Sequence, residues 1–194
     1  MARDEAYTRQ ALEPFLADFY GAAVTGVRDS RSKYPDTSHI HRKTTRRSLA
    51  RDHIVYELRG HMEGRERVRV WDRNQTTYFL VDGELELLVK KATGDGDVVL
   101  NQNRLALGFQ ANRQGDLFGY EKTNLYLSYA DNDGDPENPS VLVICPDEGG
   151  HEWMFEIEPP AARIAAEISA PLLPDTGEEL VRVIPIEKTE EDSE

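Results

Sequence analysis

The stretch Thr76–Ala92, TTYFLVDGELELLVKKA, constrains the fold more tightly than any other part of the chain. Two runs of strand-forming residues flank Asp82-Gly83. Asp-Gly tolerates the positive φ angles of a tight hairpin turn, whose twist matches that of the paired strands. The segment therefore predicts a β-hairpin. Tyr78-Phe79-Leu80-Val81 is apolar on both faces, which predicts a central strand covered from both sides. Leu85, Leu87 and Val89 alternate with Glu84, Glu86 and Leu88, which predicts a half-exposed second strand. Such a hairpin needs further strands and a covering layer before it is stable.

The rest of the chain supplies both. Between Asp4 and Val27, Ala11, Leu12, Phe15, Leu16, Phe19, Tyr20 and Val24 recur at spacings of three and four, the stripe of a helix. Pro14 fits only a first turn, so the residues before it either fray or form a short turn of their own. Gly26 reads as the stop, and DSRSKYPDTS (29–38) as a loop. A second helix is predicted from about Thr45 to Met62. Its apolar side is Leu49, Ile54, Val55, Leu58 and Met62, with Arg46, Arg47, Arg51 and Arg59 mainly away from it. The run RVRVW (67–71) alternates like a strand but could equally be a connector.

After the hairpin, Ala92–Val98 reads as a turn and Leu100–Tyr120 as a short helix or irregular crossover. Asn124–Ala130, Val141–Cys145 and His151–Ile157 read as strands. The expectation is an α+β fold: N-terminal helices packed on a mainly antiparallel, meander-like sheet of five to six strands. Residues 1–160 form one domain, helical over 1–62 and sheet over 76–157. A short helix at 161–170 and a proline-bearing edge strand, VRVIPI, would follow, and the acidic extension 161–194 would end in disorder.

Composition narrows the class. With 39 % hydrophobic and 30 % charged residues over 194 positions, the chain can bury a core. No apolar run approaches the roughly 20 residues of a membrane helix, and MARDEAYTRQ is charged from the outset, so neither a membrane span nor a signal peptide is expected. The one cysteine, Cys145, lies in VLVIC and reads as a core thiol. Both features suit the cytoplasm.

The net charge of −13 is unevenly spread. Residues 28–73 hold 13 Lys/Arg against 7 Asp/Glu, whereas residues 131–194 hold 3 against 18. The overall acidity argues against nonspecific coating of DNA. The segregation lets a basic face meet phosphate, or lets that face pair with the acidic half of the same molecule.

Constellations that carry chemistry are few. Asp82, Glu84, Glu86 and Lys90 invite a metal-dependent nuclease reading. That chemistry places an acid two residues before a lysine, so that strand alternation aims both at one ion. Here Leu88 precedes Lys90 and Val89 precedes Lys91 at that spacing, so no catalytic residue is assigned. Asp131, Asp133, Asp135 and Glu137 resemble a calcium loop, but Pro136 stands where glycine is required and Leu142 where the bidentate Glu is required. His39, His41, His53 and His61 lack the spacing of a zinc motif. No glycine-rich nucleotide loop or nucleophile elbow occurs. Neither a metal nor a cofactor is expected. The stretch HIHRKTTRRSLAR (39–51) is the most suggestive: Arg42, Lys43, Arg46, Arg47 and Arg51, with Thr44, Thr45 and Ser48, surround a predicted helix start, as phosphate contact requires.

In layout the chain resembles a class of bacterial proteins encoded beside a helix-turn-helix regulator and an ImmA/IrrE-like metallopeptidase in toxin–antitoxin or phage-defence loci. The resemblance rests on the Arg-rich helix, the LVDGELELLVKK hairpin, a glutamine in the crossover (Gln110 or Gln114), the LYLSYADNDGD strand and turn, and Trp153, spanning Leu12 to Ile157. It implies a partner-controlled role in such a locus and transfers no catalytic residue. Taken with the residues, the leading expectation is a cytoplasmic, non-catalytic binding component acting through a protein partner, with nucleic acid as a second ligand of the basic helix. The alternatives are a divergent metal-dependent nuclease, and an acidic scaffold or immunity-like protein whose residues 160–194 bind a basic partner.

Overall fold

The computed structural model describes residues 2–37, 39–93, 95–98, 104–111, 122–130, 138–148 and 150–160. The expectations for the acidic loop 131–137, for Gln114, and for the helix, strand and tail of 161–194 lie outside the described residues.

Pro14 divides the first predicted helix. Helix α1 (Glu5–Leu12) ends where a 3₁₀ turn (Glu13–Phe15) carries the proline in its first positions, and α2 (Leu16–Ser32) continues beyond it. Gly26 does not stop α2. It lies at the crossing with α3 (Lys43–Met62), where a Cβ would come within 2.5 Å of the Ile54 backbone nitrogen. Close approach of two helices, rather than helix termination, is what the missing side chain serves. Residues 29–32, expected in a loop, accordingly form the last turn of α2.

Among the described residues six strands follow: β1 (Val68–Arg73), β2 (Thr76–Val81), β3 (Leu85–Lys91), β4 (Thr123–Ala130), β5 (Ser140–Asp147) and β6 (Gly150–Glu156). They form one sheet in sequence order. The Asp82-Gly83 turn is as expected, with φ of 54° and 74° and a hydrogen bond from Glu84 N–H to the Val81 carbonyl. The simple meander is not. β3 and β4 run parallel, Leu85 facing Thr123 and Lys91 facing Tyr129. Parallel neighbours need a crossover of a dozen or more residues, and residues 92–122, with helix α4 (Arg104–Gln110), provide it.

The crossover also changes which strands are central. β3 and β4 occupy the middle, and β2 is second from the edge. β3, expected half-exposed, is buried from Leu85 to Val89, and β4 is buried throughout, including Thr123, Asn124 and Ser128. On one face, Phe79, Leu87, Val89, Leu125, Leu127 and Val143 pack under Leu12, Phe19, Ile54 and Leu58 of the N-terminal helices. On the other, Leu88, Tyr126, Leu142 and Ile144 receive Phe109 of α4. Each such fully buried large side chain contributes roughly 1.5–3 kcal/mol. Cys145 is buried, as expected of a core thiol. No described helix is long and apolar enough to cross a membrane.

Candidate anion-binding site

The aligned peptide dipoles of a helix favour acids at its start and bases at its end. Helix α1 obeys: Asp4 accepts a hydrogen bond from the Tyr7 N–H at 2.8 Å, Glu5 sits in the first turn and Arg9 in the last. Helix α3 does the opposite. Arg42 stands at its N-cap and gives no side-chain cap, and no acid occupies the first turn, which Lys43 opens. Lys43, Arg46 and Arg47 then share one side of the helix at spacings of three and four. Helix stability alone does not select such a start. A sequence that breaks a local rule without local compensation marks a place where function is to be sought.

That side of α3 walls a cavity of about 690 Å³. Arg31 of α2 and Tyr34 of the following loop face it from one side, and Lys91 and Tyr129, at the ends of β3 and β4, close it from below. Among the described residues, no aspartate or glutamate lines it. Among the described residues, Lys43, Arg46 and Arg47 meet no carboxylate at ion-pair distance, and the Arg47 Nε is sealed from solvent without a hydrogen-bond acceptor. The Tyr129 hydroxyl donates to the Arg47 carbonyl at 3.1 Å and so fastens α3 to β4. The Tyr34 ring is held between two imidazoles in edge contacts, its centroid 6.1 Å from that of His41 and 6.0 Å from that of His53.

The fold explains the convergence. Gly26 brings α2 against α3, and the buried Ala50 keeps the next turn of α3 low over the sheet. Alternation along β3 puts Leu87, Val89 and then Lys91 on the helix-covered face. Of the five residues expected to contact phosphate, Lys43, Arg46 and Arg47 line the cavity. Arg42 is the exposed N-cap, and Arg51 pairs with Asp52 at 2.8 Å. Sequence reasoning missed Arg31, because 29–32 read as loop. It missed Lys91 and Tyr129 because only the parallel register sets both beside α3. The parity of Lys91 with Leu87 and Val89 was the available signal.

The hairpin acids are placed differently. Asp82 accepts two hydrogen bonds from Arg67, at 2.6 and 2.5 Å, and this partner raises the pKa of the guanidinium. Glu84 accepts from Arg3 at 2.9 Å and from the Tyr7 hydroxyl at 2.8 Å, which raises the tyrosine pKa. Glu86 is buried near Lys122, with 3.6 Å between Oε1 and Nζ. Lys90 lies four residues further along β3, roughly 13 Å away at strand rise. The four thus do not converge, and among the described residues no group of three or more potential ligands is arranged to hold a metal. Of the histidines, His41 and His53 flank Tyr34, while His61 lies 3.3 Å from Asp18.

Comparison of the chain with protein-family models, with curated proteins and with solved structures finds no match in any of the three.

Proposed function

We propose that this protein acts by binding rather than by catalysis, and that its ligand-facing surface is the cationic cavity at the start of α3, which takes phosphate groups. The observation that carries this reading is the wall itself. Lys43, Arg46 and Arg47 face one concavity with no carboxylate among its described lining residues, at a helix end whose dipole adds positive potential. Arginine and lysine at a concave, partly dehydrated site bind phosphate through charge-assisted hydrogen bonds. In this reading the protein is a component of a toxin–antitoxin or phage-defence module that meets its protein partner on another surface. Nucleic acid is one source of the phosphate.

The test is calorimetric titration with inorganic pyrophosphate, and with a single-stranded oligonucleotide at several salt concentrations. Both are expected to bind, the oligonucleotide less tightly as salt rises. The double variant Arg46→Glu/Arg47→Glu should abolish pyrophosphate binding and flatten the salt dependence by about one to two charges. If wild-type protein binds neither probe, the reading is wrong.

A further inference from the structure

The cavity has features that a site for phosphate alone does not need. Its volume of about 690 Å³ lies well inside the range of small-molecule sites, roughly 300–1,000 Å³. Duplex nucleic acid would instead meet a broad convex or grooved face. Three of its cations, Lys43, Arg46 and Arg47, have no carboxylate partner among the described residues. A phosphate monoester brings a charge of only about −1.5 to −2 at neutral pH, which leaves such a set under-neutralised. Two or three linked phosphates match it.

An aromatic ring stands on the same wall. Tyr34 lines the cavity, is 36 % exposed, and is braced by His41 and His53. A ring fixed by its neighbours and still accessible is a stacking platform for a base, at little cost in side-chain entropy. Tyr34 follows the end of α2 and the arginines open α3, so the platform and the anion site line one concavity.

We infer that the cavity takes a nucleotide carrying two or more phosphates, its phosphate chain at Lys43, Arg46 and Arg47 and its base against Tyr34. This rests on the proposal that the start of α3 is a phosphate site, and it names the ligand class.

The experiment titrates the full chain with guanosine and adenosine mono-, di- and triphosphates, with inorganic pyrophosphate, and with a single-stranded oligonucleotide. The di- or triphosphate of at least one base should bind about tenfold or more tighter than its monophosphate. It should also bind more tightly than pyrophosphate. Arg46→Ala should weaken nucleotide and pyrophosphate alike. Tyr34→Leu should weaken the nucleotide about fivefold or more while leaving pyrophosphate unchanged. Circular dichroism and thermal melting of both variants establish that they fold. If pyrophosphate and the oligonucleotide bind in an Arg46-dependent way but no nucleotide binds better than pyrophosphate, the ligand assignment falls and the phosphate site stands. The assignment falls in the same way if Tyr34→Leu reduces nucleotide and pyrophosphate equally. If none of the probes binds, both fall.

Discussion

The two ends of strand β3 carry similar numbers of charged side chains and treat them in opposite ways. At its start, the acids find mates: Asp82 grips Arg67, and Glu84 gathers Arg3 and Tyr7. At its finish, Lys43, Arg46 and Arg47 gather with Lys91 and Arg31 around a cavity that no acid among the described residues lines, and those three cations of α3 meet no carboxylate among the described residues. Exposed charges left to themselves settle into pairs of opposite sign, each contributing little. A cluster of one sign held in a concavity, at a helix end whose dipole opposes it, is not a resting arrangement. The difference separates a charged end that serves the fold from one shaped for something outside it, although the acids at the first end looked more like an active site in the sequence.

The largest effect that would break this contrast is at Gly26. A Cβ there would meet the backbone of Ile54 at 2.5–2.6 Å, and backbone cannot step aside as a side-chain tip can. Gly26→Ala should cost about 1–3 kcal/mol or more, read as a lower denaturation midpoint at unchanged slope. Because α2 and α3 wall the cavity, pyrophosphate binding should weaken in the same variant. Amide exchange around the Asp82–Glu84 turn should keep its wild-type order relative to the rest of the sheet. A midpoint equal to wild type would mean that the helix crossing tolerates a methyl group and does not set the cavity.

Next in size is Arg42→Asp. The N-cap of α3 lacks a side-chain acceptor, and Asp would supply one while reversing the charge at the positive end of the helix. Stability should rise by about 1 kcal/mol, and anion affinity should fall. A gain in stability with no loss of pyrophosphate binding would show that the unfavourable helix start serves no ligand.

These two positions also show what could be read in the sequence. The α+β class, the helical start, the Asp82-Gly83 hairpin and the buried β5 were legible because each rests on local periodicity or turn chemistry. Gly26 was misread because a helical glycine looks the same whether it ends a helix or admits a neighbour, and only the neighbour decides. The parallel β3–β4 pair was illegible because residues 92–122 lack a sustained period, and without that pairing nothing set Tyr129 beside Lys91 under α3. The arginines of the site could therefore be named from 39–51, but the cavity that gathers them could not. The burial of Glu86 was hidden for the same reason: strand alternation announces a solvent face, but Phe109 of α4 packs on that face of the sheet.

A smaller effect tests the two ends of β3 directly, by the sign of a single arginine deletion. Arg67→Ala removes the partner of Asp82 and should lower the denaturation midpoint slightly. Arg46→Ala removes one of several like charges near a helix start, and should raise stability by about 0.2–0.5 kcal/mol. Shifts of the same sign in both variants would erase the distinction between an end of matched charges and an end of like ones. High salt should shrink both shifts, since exposed charges are screened.

The smallest expected effect distinguishes adjacent lysines on opposite faces of the sheet. Burial, with the charge of Arg51 as the lesser cause, holds the Lys90 ammonium below the ordinary lysine range. Between that lowered value and the unfolded value near 10.5, the unfolded chain keeps a proton that the folded chain has lost. Stability from this group therefore rises with pH across that window, and below it the folded state bears the full penalty of a half-buried charge. Lys90→Met abolishes the titration. The variant should be more stable than wild type at pH 7, and the margin should shrink as the pH approaches 10.5. Lys91→Met, one residue on and facing the cavity, should show its effect in pyrophosphate affinity instead. A margin at Lys90 that stays constant with pH would mean the side chain reaches water in the folded protein. An unchanged affinity at Lys91 would confine the anion site to α3 and leave the end of β3 out of it.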